Sequence, residues 1–584
     1  MVRRAERAAV GVAPAGKPTW HALQCGAFLA WLVLVAPASA APTDVLSYDD
    51  ARHLLTRTGF APNDAEVRAY AGLAREAAVA RLLASARITA VTPLPEALTA
   101  PGPLRPPGGP DALPEARKAF VRAQVQDGLV LRAWWLQEML VTPSPLTERM
   151  TLFWHNHFVS AQPKVRVTRL MLAQNTTLRA NALGNFGSLL HALAKDPAMI
   201  LYLDGAQNRK GAPNENFARE VMELFTLGEG HYTEDDVKEA ARAFTGWSLD
   251  RASGAFIVRP RLHDQGVKTI FGRTGRFDGD DVLDLLLARP ETASFVTAKL
   301  WREFVSPDPD RREVARIAAR FRESHYDIRV ALREVFESDA FYRADNRAVL
   351  VKSPVELVAG TLRQLELAPR DPLPFALAAA GMGENLFSPP NVKGWPGGEA
   401  WINTSTLLAR KQFLERLTRG DGPGYGAGPA RSSTDAAVVP VPGAGASSGT
   451  AMSAPAPMAP TSDGMARAPR LAQAGGTMDV PSGQLPAAPG MPSAPRAVLS
   501  ASPPGDVGSL RHERLARAVQ RGIDSVRFDS AHWMAHLAGT TVAERHAAAV
   551  RLLLPTAPQQ PLDLAADPLT LVRAAMQDAA YQLK

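Results

Sequence analysis

The stretch from Pro213 to Trp247 holds the densest group of side chains whose types and spacing could do chemistry. Asn216, Glu220 and Glu223 follow one another at intervals of four and three residues, which places them on one stripe of a helix. An amide and two carboxylates in a line offer oxygen ligands to a divalent metal, or acid and base groups to a hydrolase. A solvated face held by salt bridges, with asparagines capping the helix start, explains the same residues structurally.

Two histidines close together in the sequence offer nitrogen ligands for such a metal. His155 and His157 lie in a predicted helix, and side chains two positions apart on a helix point about 200° away from each other. The pair can bind one ion only if the helix ends near Trp154. Otherwise we expect a core histidine bonded to backbone and a second histidine on another face.

A second candidate group, His263 and Asp264, lies in the irregular region 256–272. A histidine beside an aspartate could bind a metal, or act as a general base that its neighbour orients. The alternative is a turn in which Asp264 hydrogen-bonds the local backbone. The region lacks the apolar periodicity that would explain the histidine as packing, so both interpretations stay open.

A loop rich in proline, glycine and aromatic residues, 388–398, is the third candidate. Lys393 and Trp395 lie within this loop and Trp401 follows it. Exposed tryptophans beside a lysine could stack on sugar rings, as an aromatic face does in a carbohydrate site. Prolines and tryptophans also close structural corners, and we favour a loop that plugs a helix bundle.

Helices must position these residues. The apolar stripe of the Pro213–Trp247 stretch consists of Phe217, Val221, Leu224 and Phe225. Gly228 ends this first helix, and Thr233 starts a second one with Asp236 in the capping-box position. Similar periodicity recurs along most of the chain. The sequence therefore predicts an all-α protein, with a multi-helix globular body and a long disordered insertion near the C-terminus.

Composition limits the class of protein and its chemistry. With 584 residues, 46% of them hydrophobic and 21% charged, the chain is long enough to bury a sizeable core. The formal charge of +7 includes +3 from residues 1–40, where four basic residues face one acidic residue, and the remainder is too small and dispersed to indicate nucleic acid. Cys25 is the only cysteine, so residues 41–584 have no disulfide, thiol nucleophile or cysteine-bound metal.

Residues 1–40 have the parts of a signal peptide. A basic segment precedes the apolar run Ala27–Ala36, and small residues at 38–40 form a cleavage site. A retained membrane anchor is the competing interpretation, but the apolar run falls short of the roughly 20 residues that a spanning helix needs. We therefore expect export to the periplasm or the extracellular space, with no stable membrane span after signal cleavage.

Three segments follow the signal peptide. Residues 41–419 form the predicted main helical domain. Residues 420–507 are rich in proline, alanine, glycine and serine, which predicts a disordered linker. Helical periodicity returns in residues 508–584, and we expect these C-terminal helices to pack on the main domain.

Several unusual short sequence motifs occur in order along the chain. They include FWHNHF at 153–158, the Pro213–Trp247 stretch, HDQGVKTIFG at 263–272 and LFSPPNVKGWPGGEAWINTSTLLAR at 386–410. In these motifs the chain resembles a large bacterial family of exported proteins known as a domain of unknown function, the eighteen-hundred family. The resemblance implies an exported, mainly helical protein, often encoded beside a second exported family that resembles sulfatases and alkaline phosphatases. It supplies no catalytic residues.

Two functions from different classes fit these observations. The first is a metal-dependent hydrolase acting on an extracellular polymer or ester. Its candidate catalytic residues are His263, Asp264, Glu220 and Glu223, and its candidate metal ligands are His155, His157 and His263. The second is a protein that binds or assembles with an exported partner resembling a sulfatase or phosphatase. Its candidate binding residues are Asn216, Lys393, Trp395 and Trp401. We favour the second, because the resemblance implies such a genetic neighbour.

Overall fold

The structure is a computed structural model that describes residues 44–99, 102–105, 113–250, 252–419 and 506–584. Residues Val45–Lys584 belong to one compact unit. The predicted signal peptide lies outside the described residues, and so does the predicted disordered linker as far as residue 505.

The described residues form 24 α-helices, and the predicted all-α class is confirmed. The first twelve are α1 (Tyr48–Thr58), α2 (Asp64–Arg68), α3 (Arg75–Ala84), α4 (Glu96–Thr99), α5 (Pro114–Val141), α6 (Pro145–His157), α7 (Gln162–Val165), α8 (Thr168–Ala180), α9 (Phe186–Ala194), α10 (Pro197–Tyr202), α11 (Asn216–Glu220) and α12 (Glu234–Ala243). The other twelve are α13 (Gly279–Ala288), α14 (Pro290–Phe304), α15 (Arg311–Glu323), α16 (Ile328–Phe336), α17 (Asp339–Tyr342), α18 (Pro354–Gln364), α19 (Leu373–Gly381), α20 (Thr404–Leu417), α21 (Asp506–Asp524), α22 (Ser530–Ala535), α23 (Val542–Leu553) and α24 (Pro568–Gln577).

Two short antiparallel hairpins lie between α12 and α13. They pair β1 (Trp247–Leu249) with β2 (Phe256–Val258) and β3 (Lys268–Ile270) with β4 (Arg273–Gly275). The register places Trp247 opposite Val258 and Lys268 opposite Gly275. The region that lacked helical periodicity in the sequence is therefore the one that forms strands and turns.

The helix α5 has 28 residues and starts at Pro114, where a proline costs no helical hydrogen bond. Its tryptophans, Trp134 and Trp135, are buried in the core. In the part of the chain that the structure describes, neither α5 nor any other helix is long and apolar enough to cross a membrane.

Side-chain caps fix where several helices begin. The Thr233 hydroxyl accepts a hydrogen bond from the Asp236 N–H at 3.1 Å, and the Asp236 carboxylate accepts one from the Thr233 N–H at 2.9 Å. This is the capping box that the sequence predicted for α12. Similar boxes start α1 at Ser47 and α18 at Ser353. Each such cap contributes about 1 kcal/mol to helix stability.

The helices on both sides of the predicted linker pack together. The buried Trp533 ring of α22 donates a hydrogen bond from Nε1 to the Gln364 carbonyl at 2.9 Å. Val351 and Leu583 form an antiparallel bridge near the end of the chain. The C-terminal helices therefore share a core with α18 and the residues before it.

Candidate binding site

The helix that begins at Asn216 changes its hydrogen-bond pattern halfway along. After α11 ends at Glu220, residues Val221–Thr226 continue as a π-helical turn. The Leu227 N–H donates to the Met222 carbonyl, five residues back, at 2.8 Å. The sequence predicted a regular α-helix, and this second half is therefore wider than expected. Such turns are rare and frequently lie at functional sites.

Two side chains from other helices bind the carbonyl groups at the end of this π-helical turn. His157 Nε2 donates to the Phe225 carbonyl at 3.0 Å, and Lys299 Nζ donates to the Leu224 carbonyl at 3.2 Å. Lys299 Nζ also donates to His157 Nδ1 at 3.1 Å. Burial holds the pKa of His157 well below its usual range and lowers the pKa of half-buried Lys299 to about 8. His157 is therefore neutral, with both ring nitrogens engaged.

His155 lies in a cage of aromatic rings. Its ring centroid lies 5.6 Å from that of Trp135, 5.4 Å from that of Phe387 and 5.6 Å from that of Trp395. Burial lowers the pKa of His155 to about 4. Its Nε2 atom has no hydrogen-bond partner within the described ranges. His155 is therefore a neutral histidine of the core.

The two neighbouring histidines serve different parts of the core. The helix α6 continues to His157 and does not end near Trp154, which was the condition for joint metal binding. His155 contacts the aromatic cage, whereas His157 contacts the π-helical turn. The structure therefore does not bring them together as ligands of one ion.

His263 and Asp264 hold a turn against α12. Arg242 donates to the Asp264 carboxylate through Nε at 2.9 Å and Nη2 at 3.3 Å, and these bonds lower the pKa of Asp264 to about 2. The carboxylate also accepts from the Gly266 N–H at 2.8 Å. His263 Nδ1 donates to the Thr245 carbonyl at 2.9 Å. These contacts match the local-turn interpretation of the pair.

Metal ligands do not converge in the described parts of the chain. There, no group of three or more histidine, aspartate or glutamate side chains is positioned to hold a metal ion. The convergence of His155, His157, His263 and Glu220 that the hydrolase hypothesis required is therefore not found.

Asparagines organise the start of α11. The Asn216 side chain donates to the Leu203 carbonyl at 3.2 Å, and its backbone N–H donates to Asn214 Oδ1 at 3.0 Å. The Asn214 N–H donates in turn to Oδ1 of buried Asn208, at 2.9 Å. Asn216 therefore acts as part of a capping network, which was the structural interpretation of the asparagines.

The two glutamates of the predicted stripe have different surroundings. Glu223 Oε2 accepts a hydrogen bond from the Tyr232 hydroxyl at 2.6 Å. Glu220 is half-buried and forms no hydrogen bond or ion pair within the described ranges. Burial and then the charge of Glu223 raise the pKa of Glu220. The nearby charges of Arg219 and Lys393 oppose this rise. A further positive group close to this half-buried carboxylate would stabilise its charged form.

Lys393 joins these glutamates from a distant part of the chain. Its Nζ atom lies 3.5 Å from Glu229 Oε1 and 4.0 Å from Glu223 Oε1. The Lys393 side chain is 65% exposed and that of Glu229 is 76% exposed, so both are accessible to a partner. We call the surface formed by Glu220, Glu223, Glu229, Tyr232 and Lys393 the acidic face.

The loop that carries Lys393 is fastened to the end of α6. Asn156 Oδ1 accepts a hydrogen bond from the Trp395 N–H at 2.7 Å. Gly394 has a φ of +85°, and a Cβ atom there would lie 2.2 Å from the same oxygen. Only glycine permits both the left-handed backbone and the close approach. The position of Lys393 is therefore fixed by its neighbours in the loop.

The two tryptophans proposed for sugar stacking are buried. Trp395 is 4% exposed and Trp401 is 6% exposed. Neither ring has a free face for a sugar ring. The loop packs as a plug, which is the interpretation that the sequence favoured.

Three residues of this region were missed by sequence reasoning: Lys299, Asn156 and Tyr232. Lys299 did carry a signal, because it lies four residues after Phe295 beside the apolar stripe of α14, and its Nζ lies 4.9 Å from that ring. A cation beside an apolar stripe indicates a specific contact. Asn156 carried no local signal, because its partner Trp395 is distant in the sequence. Tyr232 carried none, because its bond to Glu223 depends on how the chain turns between the two helices.

The chain matches a protein family over most of its length. A family model described as "Protein of unknown function (DUF1800)" matches residues 53–583. No curated protein and no solved structure matches the chain. The match covers α11, the π-helical turn and the Lys393 loop, so the acidic face lies within the family region.

Proposed function

This chain belongs to the DUF1800 family of proteins of unknown function, and we propose that it acts as an exported protein that binds or assembles with an exported partner. The acidic face is the proposed binding surface. The partner is the protein resembling sulfatases and alkaline phosphatases that the family resemblance implies as a genetic neighbour.

The convergence of exposed charges from two distant segments is the observation that carries this proposal. Lys393 and Glu229 are 164 residues apart in the sequence and meet on the surface. The π-helical turn on one side is held by His157 and Lys299, and the loop on the other side is held by Asn156. A surface that is already ordered loses little conformational entropy on binding, which favours affinity.

The charge of the acidic face indicates the chemistry of the partner surface. Three carboxylates, those of Glu220, Glu223 and Glu229, accompany the ammonium group of Lys393. The adjacent guanidinium of Arg219 is already paired with Glu215 and Glu234. Complementary charge steers two proteins together and sets their orientation. We therefore expect the partner to present arginine or lysine side chains, one of which pairs with Glu220.

The hydrolase alternative depends on a narrower observation. The raised pKa of half-buried Glu220 beside Glu223 is a property of acid and base groups in enzymes. Hydrolysis of ester and polysaccharide substrates by the full chain, with loss of activity in Glu220→Gln, would favour this alternative over the binding proposal.

The binding proposal is tested with two purified proteins. The full chain and its exported phosphatase-like neighbour are mixed, and the dissociation constant is measured by biolayer interferometry. We expect Glu220→Gln combined with Glu229→Lys to weaken binding by at least about tenfold, or roughly 1.4 kcal/mol. The loss should appear partly in the association rate and should shrink at high salt.

A charge reversal at another surface provides the control. Glu513 of α21 is also exposed and also pairs with a basic side chain, Arg517. Glu513→Lys changes the net charge in the same direction at another surface and should leave the affinity unchanged. Equal losses in both variants, or no binding by the unaltered chain, would contradict the proposal.

A further inference from the structure

A cavity that the proposed function does not use lies between α1, residues 347–352 and residues 583–584. Four basic side chains line it, those of Arg52, Arg347, Lys352 and Lys584, and no aspartate or glutamate is among the described residues around it. Its volume is about 20 Å³, enough for one ion slightly larger than a water molecule. We propose that this cavity binds a small monovalent anion of the size of chloride.

The charge of Lys352 is the main argument for an anion. The other three lining cations each form an ion pair: Arg52 with Asp49 at 3.6 Å, Arg347 with Asp50, and Lys584 with Glu356. Lys352 is buried and forms no ion pair within the described ranges. Burial lowers the pKa of Lys352 to about 7, against the opposing effect of the Glu356 charge. An anion in the cavity would stabilise the charged form of this lysine.

Glu356 already serves other groups. Its Oε1 atom pairs with both Arg149 and Lys584, and its Oε2 atom accepts a hydrogen bond from the Ser353 N–H at 2.7 Å. Its negative charge is therefore shared among several positive groups, and Lys352 receives only part of it.

Two more buried cations near the cavity have no ion pair within the described ranges. Burial and then the charge of Arg57 hold the pKa of His53, which lines the cavity, well below its usual range. The charge of Arg410 acts in the same way on Lys352. Both guanidinium groups are fully buried and donate to neutral oxygens, four of them backbone carbonyls and one the side chain of Gln582. Buried positive charges without counter-ions are costly, so an anion here is favourable.

Hydrogen-bond donors at the cavity are available to hold the anion. The Lys352 ammonium group has three N–H donors, of which one goes to the Tyr581 carbonyl at 2.7 Å. The Thr56 hydroxyl also lines the cavity and has no hydrogen-bond partner within the described ranges. Chloride accepts hydrogen bonds from both kinds of donor. We therefore expect Lys352 and Thr56 to be its ligands.

The backbone around the cavity is strained at two positions. Ala61 has a φ of +55° and Ala348 a φ of +54°, and both residues line the cavity. A residue with a Cβ atom is rarely found in the left-handed region, because its side chain is crowded there. Such strain persists where the surroundings enforce it, and it clusters at ligand sites. This observation supports a binding function independently of the charges.

The walls of the cavity are held in place by bonds that need no ion. The Lys352 N–H donates to the Gln582 carbonyl at 2.8 Å, and the Lys584 N–H donates to the Leu350 carbonyl at 2.8 Å. An anion bound between these segments and α1 should therefore add to the stability of a structure that already exists.

Thermal unfolding of the full chain in chloride tests the site. Sodium chloride replaces sodium gluconate stepwise at constant ionic strength and neutral pH, because gluconate is too large for the cavity. We expect the Tm to rise by about 1 to 3 °C and then to level off, since chloride binds only the folded chain. The rise should be lost in Lys352→Met and reduced by at least about half in Thr56→Val.

Lys299→Met is the matched control. Lys299 is also a lysine whose pKa is lowered by burial and that forms no ion pair within the described ranges, but it does not line the cavity. Its replacement should leave the response to chloride unchanged. Lys352→Met should fold, because an apolar side chain of similar length replaces a buried charge.

Crystals of the unaltered chain grown in sodium bromide give a direct readout that depends on no variant. Bromide replaces chloride at such sites, and we expect an anomalous scattering peak within hydrogen-bond distance of Lys352 Nζ. A Tm that does not respond to chloride overturns the site, and so does an equal response in Lys352→Met and the unaltered chain. Bromide found only at other places also overturns it. No partner protein enters these measurements, so their outcome is independent of the binding proposal.

Discussion

Lys299 shows how one charged side chain determines the local structure around the acidic face. Its ammonium group reaches both the Leu224 carbonyl and His157 Nδ1, and His157 reaches the Phe225 carbonyl. These bonds satisfy backbone groups that the end of a helix leaves without partners. The cost is the desolvation of an ammonium group, which lowers the pKa of Lys299 to about 8.

The lowered pKa of Lys299 predicts a specific pH dependence of stability. In the unfolded chain a lysine has a pKa of about 10.4, so between about pH 8 and 10.4 the unfolded state binds more protons. Stability contributed by this site therefore rises with pH in that window, as the folded-state penalty is relieved. Lys299→Met removes the titrating group and with it this rise.

The measurement is the free energy of unfolding at pH 7 and at pH 9.5, by urea denaturation. Relative to Lys299→Met, the unaltered chain should gain about 1 to 2 kcal/mol between the two pH values. Equal changes with pH in both proteins would show that Lys299 is not desolvated in the folded state.

At the scale of elements, the Lys393 loop depends on one close approach. Gly394 has a φ of +85° and lies against Asn156, whereas Gly72 has a φ of +84° and nothing within 4 Å of its Cβ position. The same substitution at the two glycines therefore separates crowding from the strain of a positive φ.

Gly394→Ala should destabilise the protein more than Gly72→Ala. Strain at a left-handed residue costs about 1 kcal/mol or more, and the crowded Cβ atom adds roughly 1 to 2 kcal/mol at Gly394 alone. Thermal unfolding measures the difference in stability, and Gly394→Ala should also weaken partner binding by displacing Lys393. Identical melting curves for the two variants would mean that the Asn156 side chain moves aside without loss of stability.

Element types were predictable where local chemistry decides them. The capping box of Thr233 and the glycine ending at Gly228 follow from neighbouring residues, and both are present. The π-helical turn Val221–Thr226 was not predictable, because its residues have ordinary helical periodicity. Its carbonyl partners, His157 and Lys299, come from α6 and α14, so the turn depends on tertiary contacts that no local pattern contains.

At the scale of the whole molecule, the sequence predicted the class of fold but not which distant segments come into contact. Helical periodicity and caps repeat along the chain, and they determine that it is built from helices. The pairing of Lys393 with Glu223 and Glu229, and of His536 with Glu366, joins segments more than 160 residues apart. Spacing along one segment holds no information on such pairs, so the side chains that share the acidic face could not be predicted from it.

The burial of Trp395 and Trp401 illustrates the same limit. A tryptophan can either stack on a sugar at the surface or pack in the core, so residue type alone does not distinguish the two roles. The packing of the loop against α6 decides between them, and both rings are buried. Export of the chain and its partner stay predictions, because the segment 1–40 lies outside the described residues.

The central claim is that the acidic face binds an exported protein, and hydrogen–deuterium exchange of the full chain tests it most directly. Exchange is measured with and without the phosphatase-like neighbour at saturating concentration. We predict slower exchange in residues 216–232 and 391–397 in the complex, with no change in residues 530–536. Slower exchange confined to other segments, or none despite demonstrated binding, would contradict the claim.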